Sequence, residues 1–152
     1  MPGLSNTIER FIIELFRGTD DNIIEIQRNE MAQYFQCSPS QINYVLSTRF
    51  TPYKGYYIES KRGGGGYIKI IKVEIEDNKD IKDLITNSIG DSITKRKAYH
   101  IIERFFEEKL ITKREEEIIK VSISDSSLYK IGDKENEIRA DILKNILLVL
   151  LN

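Results

Sequence analysis

Glu59-Ser60-Lys61-Arg62-Gly63-Gly64-Gly65-Gly66-Tyr67 is the stretch on which the fold turns. Four consecutive glycines follow two cations. Tyr56-Tyr57-Ile58 precedes the run and Tyr67-Ile68-Lys69-Ile70-Ile71 follows it. β-Branched and aromatic residues suit a pleated, half-buried surface, and two such runs joined by glycines predict a β-hairpin. Glycine adopts positive φ without steric cost, so the tip can bend sharply and approach another molecule closely. Arg62 then stands at the end of a narrow, bare finger shaped to enter a nucleic-acid groove. The plainer alternative is a surface loop with an incidental Lys-Arg pair.

The residues before the hairpin decide between these. Asn29 is expected to cap a short helix, Glu30 to Phe35, with Gln36-Cys37 as a turn. Ser38 is the expected cap of the next helix, with Pro39 in its first turn, where the missing N–H costs nothing. That helix runs to Arg49 with Ile42, Val45 and Leu46 facing inward. Its other face carries Ser40, Gln41, Asn43, Tyr44, Ser47 and Thr48, with no charge until Arg49. A helix face that only meets water normally carries long side chains of both charges. Amides, hydroxyls and a terminal arginine instead suit base edges: Gln or Asn for adenine, Arg for guanine, Ser or Thr for either. Two short helices with a tight turn, the second polar but uncharged outside, form the helix-turn-helix pattern. A purely structural helical hairpin is the competing reading, and the glycine hairpin a few residues on argues against it.

Outward from this centre, Thr7 to Phe16 places Ile8, Phe11, Ile12, Leu15 and Phe16 at helical spacing, capped from among Ser5, Asn6 and Thr7. Ile23-Ile24-Glu25-Ile26 reads as an edge strand. Helix, strand, two helices and hairpin make a winged helix-turn-helix over residues 1–73. Its second paired helix is expected in the major groove. Arg62 is expected in the flanking minor groove, where negative potential concentrates.

After Lys72 the character changes. Val73 to Asn78 reads as a linker, and residues 79–152 as an all-α domain. Lys79 to Ile89 is helical, ending at Gly90. Thr94 caps a longer helix reaching Leu110. Thr112-Lys113-Arg114-Glu115 is a capping box, and Glu115-Glu116-Glu117 reads as a solvated helix start. Ser124 to Gly132 is a polar connection. The last helix, about Lys134 to Leu151, carries Ile138, Ile142, Leu143, Ile146, Leu147, Leu150 and Leu151. So wide a stripe on so small a chain predicts packing against a second copy, a homodimer. The fold class is therefore α+β: an N-terminal winged helix-turn-helix followed by a C-terminal helical dimerisation domain.

Charge follows the same division. The 152-residue chain has a formal net charge of −1. From Arg28 to Lys72 there are seven Lys and Arg against two Glu, a local +5; from Val73 onward, fourteen cations face seventeen acids, a local −3. Local field governs binding to a polyanion more than the total does. Other chemistry is scarce. The single Cys37 excludes an internal disulfide and suits a reducing cytosol. With one Cys and one His, a zinc site of those ligand types lacks donors. His100 reads as a partly buried structural residue and Cys37 as a small packed one. The glycine run opens a strand, whereas phosphate-binding loops open a helix. The expectation is no enzyme, no cofactor, no metal and no membrane span, and the N-terminus lacks a secretory-signal layout.

Three segments carry a specific resemblance: residues 36–45 (QCSPSQINYV), residues 48–51 (TRFT) and residues 58–68 (IESKRGGGGYI). They resemble the CtsR family, bacterial repressors of class-three stress genes. The similarity is dense from about Arg28 to Ile71 and extends less specifically over the rest. It implies a cytoplasmic dimeric repressor of Clp protease and chaperone genes that binds double-stranded promoter DNA at tandem direct repeats and releases it on heat shock. It implies that Arg62 is the minor-groove residue, that Gly63, Gly64, Gly65 and Gly66 form a heat-sensing loop, and that the C-terminal helices dimerise. It further implies a protein-arginine kinase and a Clp ATPase as regulatory partners, with Arg28, Arg49 and Arg62 on the DNA-facing side as candidate modification sites. Phosphorylation there would place negative charge against phosphates. The expected DNA-binding set is Arg28, Ser38, Ser40, Gln41, Asn43, Tyr44, Thr48, Arg49, Lys61, Arg62 and Gly63 to Gly66. A different class of function, a Clp-associated adaptor without sequence-specific DNA binding, is separated from this one by a gel-shift titration.

Overall fold

The computed structural model describes residues 3–61 and 66–151. The chain divides into two compact units, Met1–Val73 and Glu74–Asn152.

The first unit runs α1 (Leu4–Arg17), β1 (Ile23–Gln27), α2 (Arg28–Tyr34), α3 (Pro39–Arg49), β2 (Tyr56–Ser60) and β3 (Tyr67–Lys72). α1 begins earlier than its apolar spacing suggests: the amides of Asn6 and Thr7 donate to Gly3 O at 3.1 and 3.2 Å, so the cap is Gly3 rather than Ser5, Asn6 or Thr7. Ile8, Ile12 and Phe16 are buried one turn apart, while Leu15, on the margin of the stripe, is 37% exposed. The strands form one antiparallel sheet in the order β1-β3-β2, so β1 is an edge strand as expected. Ile24 pairs with Ile70 and Ile26 with Ile68. These four isoleucines face the core, because side chains two apart share one face of a sheet. Fully burying each contributes about 1.5–3 kcal/mol. Beneath them pack Ile8, Ile12, Met31, Ile42, Val45 and Leu46. Phe50 closes the end of α3 edge-on against Tyr56, ring centroids 4.9 Å apart.

A 3-10 turn, Pro52–Lys54, links α3 to the sheet. Apolar spacing does not reveal it, because its three residues bury only Lys54.

The second unit contains α4 (Asn78–Asp83), a π-helical run Leu84–Ile89, α5 (Lys95–Glu107), α6 (Lys113–Ser122), α7 (Asp125–Leu128), a 3-10 run Tyr129–Lys134, and α8 (Glu135–Leu150). The expected helix through Ile89 is thus regular only to Asp83. The expected helix to Leu110 stops at Glu107. The expected polar connection contains α7. The capping box at the start of α6 is present: Glu115 N–H donates to Thr112 Oγ1 at 3.1 Å, and Thr112 N–H to Glu115 Oε1 at 2.8 Å. Glu116, by contrast, is only 3% exposed, with Lys113 Nζ 2.7 Å away, so the acidic triplet is not uniformly solvated. It sits on the inward side of α6, its carboxylate paired with Lys113 and, at 3.8 Å, with Lys120.

α8 buries Ala140, Leu143 and Leu147 completely, leaves Ile138, Ile142, Ile146 and Leu150 half-buried, and exposes Leu148 and Val149. Arg139 is 1% exposed. Its Nε donates to Ile123 O at 2.8 Å, Nη1 to Ile93 O and Asn136 Oδ1, and Nη2 to Asp125 Oδ1 and Glu135 Oε1. All five N–H groups of the guanidinium are used, which is what a buried arginine requires. At the unit's beginning, Glu108 accepts the Ile75 N–H and pairs with Arg104 at 3.2 Å. Burial raises the Glu108 carboxyl above its ordinary value, partly opposed by those two donors. Among the described residues no helix is long and apolar enough to cross a membrane.

Candidate nucleic-acid interface

The helix pair is set by its caps. The cap of α2 is Gln27, whose side chain accepts Glu30 N–H at 2.6 Å; Asn29, the expected cap, lies inside the helix. A long amide one residue before the helix reaches N3 as well as a short one does, and β1 runs straight into α2 with no spare residue for another cap. α2 ends as Phe35 N–H donates to Met31 O at 2.9 Å. Gln36 takes φ +53, a left-handed conformation in a position where glycine is usual. Cys37 N–H then donates to Ala32 O at 2.9 Å, and Cys37 packs half-buried against the core. Ser38 is the cap of α3, as expected. Gln41 reaches back to accept Ser38 N–H at 3.3 Å, and the Ser38 and Ser40 hydroxyls pair at 2.9 Å.

α3 presents the expected surface. Ile42, Val45 and Leu46 are buried, and Ser40, Gln41, Asn43, Tyr44 and Ser47 are exposed. The Tyr44 ring is 58% exposed. The outward side of α3 is therefore lined by amides, hydroxyls and a tyrosine over about two turns, with no carboxylate among them. Thr48 is half-buried and its hydroxyl donates to Tyr44 O at 2.6 Å, so that group is engaged within the helix. Arg49 does not extend from the helix end alone. Its Nη1 donates to Glu9 Oε1 at 2.6 Å and to Asn6 Oδ1 at 2.8 Å, both on α1.

The wing is described at its base only. Lys61 N–H donates to Tyr67 O at 3.0 Å, continuing the β2–β3 ladder, and Lys61 Nζ lies 3.0 Å from Glu25 Oε1 on β1. Both members of that pair are exposed, so it contributes little to stability. Arg62, Gly63, Gly64 and Gly65 lie outside the described residues. Gly66, at φ +78, accepts the amide of Arg28 at 2.9 Å. A Cβ on Gly66 would stand 3.3 Å from the Arg28 Cβ. Arg28 is thus packed at the junction of α2 and the wing base. Its Nε is buried and finds no hydrogen-bond partner among the described residues.

The structure therefore exposes Ser38 at the cap and Ser40, Gln41, Asn43 and Tyr44 around the outward side of α3, and brings Arg28, Lys61 and Gly66 to the base of the wing. It ties Arg49 and the Thr48 hydroxyl to internal partners. Neither Glu9 nor Asn6 was expected beside Arg49, Asn6 being expected only as a candidate cap of α1. Their link to Arg49 crosses 40 and 43 residues of chain, and no local spacing signals it.

Comparison with known proteins covers nearly the whole chain. Residues 3–74 match the CtsR N-terminal HTH domain and residues 77–148 the CtsR C-terminal dimerization domain. The chain is 43% identical over 150 residues to the transcriptional regulator CtsR of Staphylococcus aureus strain USA300, spanning 99% of this chain and 98% of that one. The same figures hold for the protein of strain NCTC 8325. Among solved structures it is similar to the crystal structure of CtsR in complex with a 26bp DNA duplex, at TM-score 0.88 and 40% identity over 99% of both chains.

Proposed function

The chain belongs to the CtsR family of transcriptional regulators, and from that premise we propose that it is a sequence-specific DNA-binding repressor acting as a homodimer. Its targets on this reading are heat-shock genes for Clp protease components and chaperones. It reads tandem direct repeats in their promoters and releases them on heat stress. The observation that carries the reading is the exposed, carboxylate-free face of α3, Ser40, Gln41, Asn43, Tyr44 and Ser47, on a helix fixed by its buried side.

In this scheme α3 lies in the major groove, with Gln41 and Asn43 addressing base edges and Ser38, Ser40 and Tyr44 the flanking phosphates or bases. Arg62 reads the minor groove from the wing, with Lys61 and Arg28 supplying positive charge near its root. Gly63 to Gly66 make a tip that is entropically costly to order, so binding that freezes it weakens as temperature rises. The half-buried stripe of α8 is covered by a second copy. A protein-arginine kinase and a Clp ATPase are the proposed regulators, acting on arginines at the DNA-facing side, Arg28, Arg49 and Arg62 among them.

A gel-shift titration with a tandem-repeat promoter against scrambled competitor tests the reading. Arg62→Ala is expected to lose roughly 1–3 kcal/mol of affinity, as for one reading arginine, with a slightly shallower salt dependence. Binding to both duplexes with equal strength would instead favour an adaptor role.

A further inference from the structure

We propose that Glu9 and Asn6 on α1, gripping Arg49, form a clamp that positions the C-terminal end of the reading helix, so that an acidic residue is required for tight binding to DNA. The inference rests on the proposed reading of α3 as the recognition helix and assigns Arg49 a positioning role within it.

Both hydrogens of Arg49 Nη1 are directed at α1, one to Glu9 Oε1 at 2.6 Å and one to Asn6 Oδ1 at 2.8 Å. The Arg49 side chain is 36% exposed and that of Glu9 22%, so the pair is partly withdrawn from solvent. Charge-assisted bonds of this length are short and directional. The bulk of α1–α3 cohesion lies elsewhere, in Ile8, Ile12, Ile42, Val45 and Leu46, none more than 3% exposed. What the clamp adds is direction. It ties the last turn of α3 to α1 on the side away from Phe50, whose ring anchors that end of the helix against Tyr56. Base-edge recognition tolerates little misplacement of the groups that perform it, and such groups depend on the shell that supports them.

Elementary electrostatics gives the opposite expectation, which makes the inference sharp. A carboxylate beside the DNA-facing helix repels phosphates within a Debye length, about 8–10 Å at physiological salt. If Glu9 merely occupied Arg49 until DNA replaced it, removing the acid would tighten binding. The clamp requires that removing it loosens binding.

The test uses the full chain and a fluorescent tandem-repeat duplex, read by anisotropy across a salt series. Glu9→Gln is expected to bind roughly five- to ten-fold more weakly, and Glu9→Gln/Arg49→Gln no more weakly than Arg49→Gln alone, since residues acting as one unit are non-additive. The slope of affinity against salt stays unchanged in Glu9→Gln, because no phosphate contact is lost. Its thermal midpoint stays within a few degrees of the parent, since the buried contacts remain. Asn6→Ala, at an exposed position, weakens binding in the same direction and serves should Glu9→Gln fold poorly. If the parent prefers its repeat but Glu9→Gln and Asn6→Ala bind as tightly as the parent or more tightly, the clamp is wrong and the DNA reading stands. If the parent shows no preference for the repeat, the DNA reading itself fails and takes the clamp with it.

Discussion

The amide of Arg28 donates to the carbonyl of Gly66 at 2.9 Å, tying the first residue of α2 to the residue immediately before β3. One hydrogen bond thus joins the helix pair to the base of the wing, and the Arg28 side chain borders the space that a Gly66 side chain would enter. The position disfavours other residues for two independent reasons: φ is +78, and an added Cβ would stand 3.3 Å from the Arg28 Cβ, which would have to shift by a few tenths of an ångström.

Gly66→Ala is therefore expected to destabilise the first unit by about 1–2 kcal/mol, the cost of a left-handed conformation for an L-residue. Urea unfolding followed by far-UV circular dichroism measures it. An unchanged midpoint would mean that the wing base moves freely relative to α2.

On α3, two exposed amides should separate recognition from helix capping. Gln41 also accepts Ser38 N–H, whereas Asn43 stands mid-helix, exposed at the opposite edge of the outward side. Asn43→Ala should lower promoter affinity by about 1–3 kcal/mol and leave stability within about 0.5 kcal/mol of the parent. Gln41→Ala should lower affinity and also cost several tenths of a kcal/mol in stability through the lost cap. Anisotropy and urea unfolding on the same preparations give both values.

Arg139 joins α8 to the carbonyls of Ile93 and Ile123 and to three side chains. Truncating it strands buried carbonyls, so Arg139→Ala should cost about 3–5 kcal/mol. Analytical ultracentrifugation should show loss of the dimer together with loss of helical signal. A variant as stable as the parent would show that water replaces the guanidinium without penalty.

Glu108 gives a pH signature. Burial raises its folded-state carboxyl above the ordinary 4.5. A raised acid binds its proton more tightly folded than unfolded, so its contribution is greatest below the unfolded value and is lost as pH rises through the folded one. Glu108→Gln keeps an oxygen for the Ile75 N–H and removes the buried charge. It should be at least as stable as the parent at pH 7, with the difference narrowing as pH falls toward 4.5. Thermal unfolding at several pH values tests this, and a variant less stable than the parent at pH 7 would show that the Arg104 pair outweighs desolvation.

Much of this was legible in the sequence because the signals were local. The inward stripe Ile42, Val45 and Leu46, the Thr112 box and the paired strands around the glycines each depend on residues a few positions apart. Failures followed where a longer-range partner or a longer side chain took over. Gln27 replaced Asn29 as a cap because β1 leads directly into α2 and the Gln27 amide reaches Glu30 N–H. Glu116 lies on the buried side of α6, paired with two lysines of its own helix. Arg49 found its partners on a helix 40 residues earlier. Arg139 sits on the inward side of α8, where backbone carbonyls from two other segments and the carboxylates of Asp125 and Glu135 together make a cation tolerable.

The saturation of Arg139 also sorts the arginines of this chain by chemical reach. A guanidinium with every N–H already donated offers no edge to a dicarbonyl reagent or to a modifying enzyme while its helices remain in place. An adduct mapped to Arg139 would therefore report that the C-terminal unit had come apart beforehand, which makes this residue a built-in marker for distinguishing damage from signalling in any survey of arginine modification.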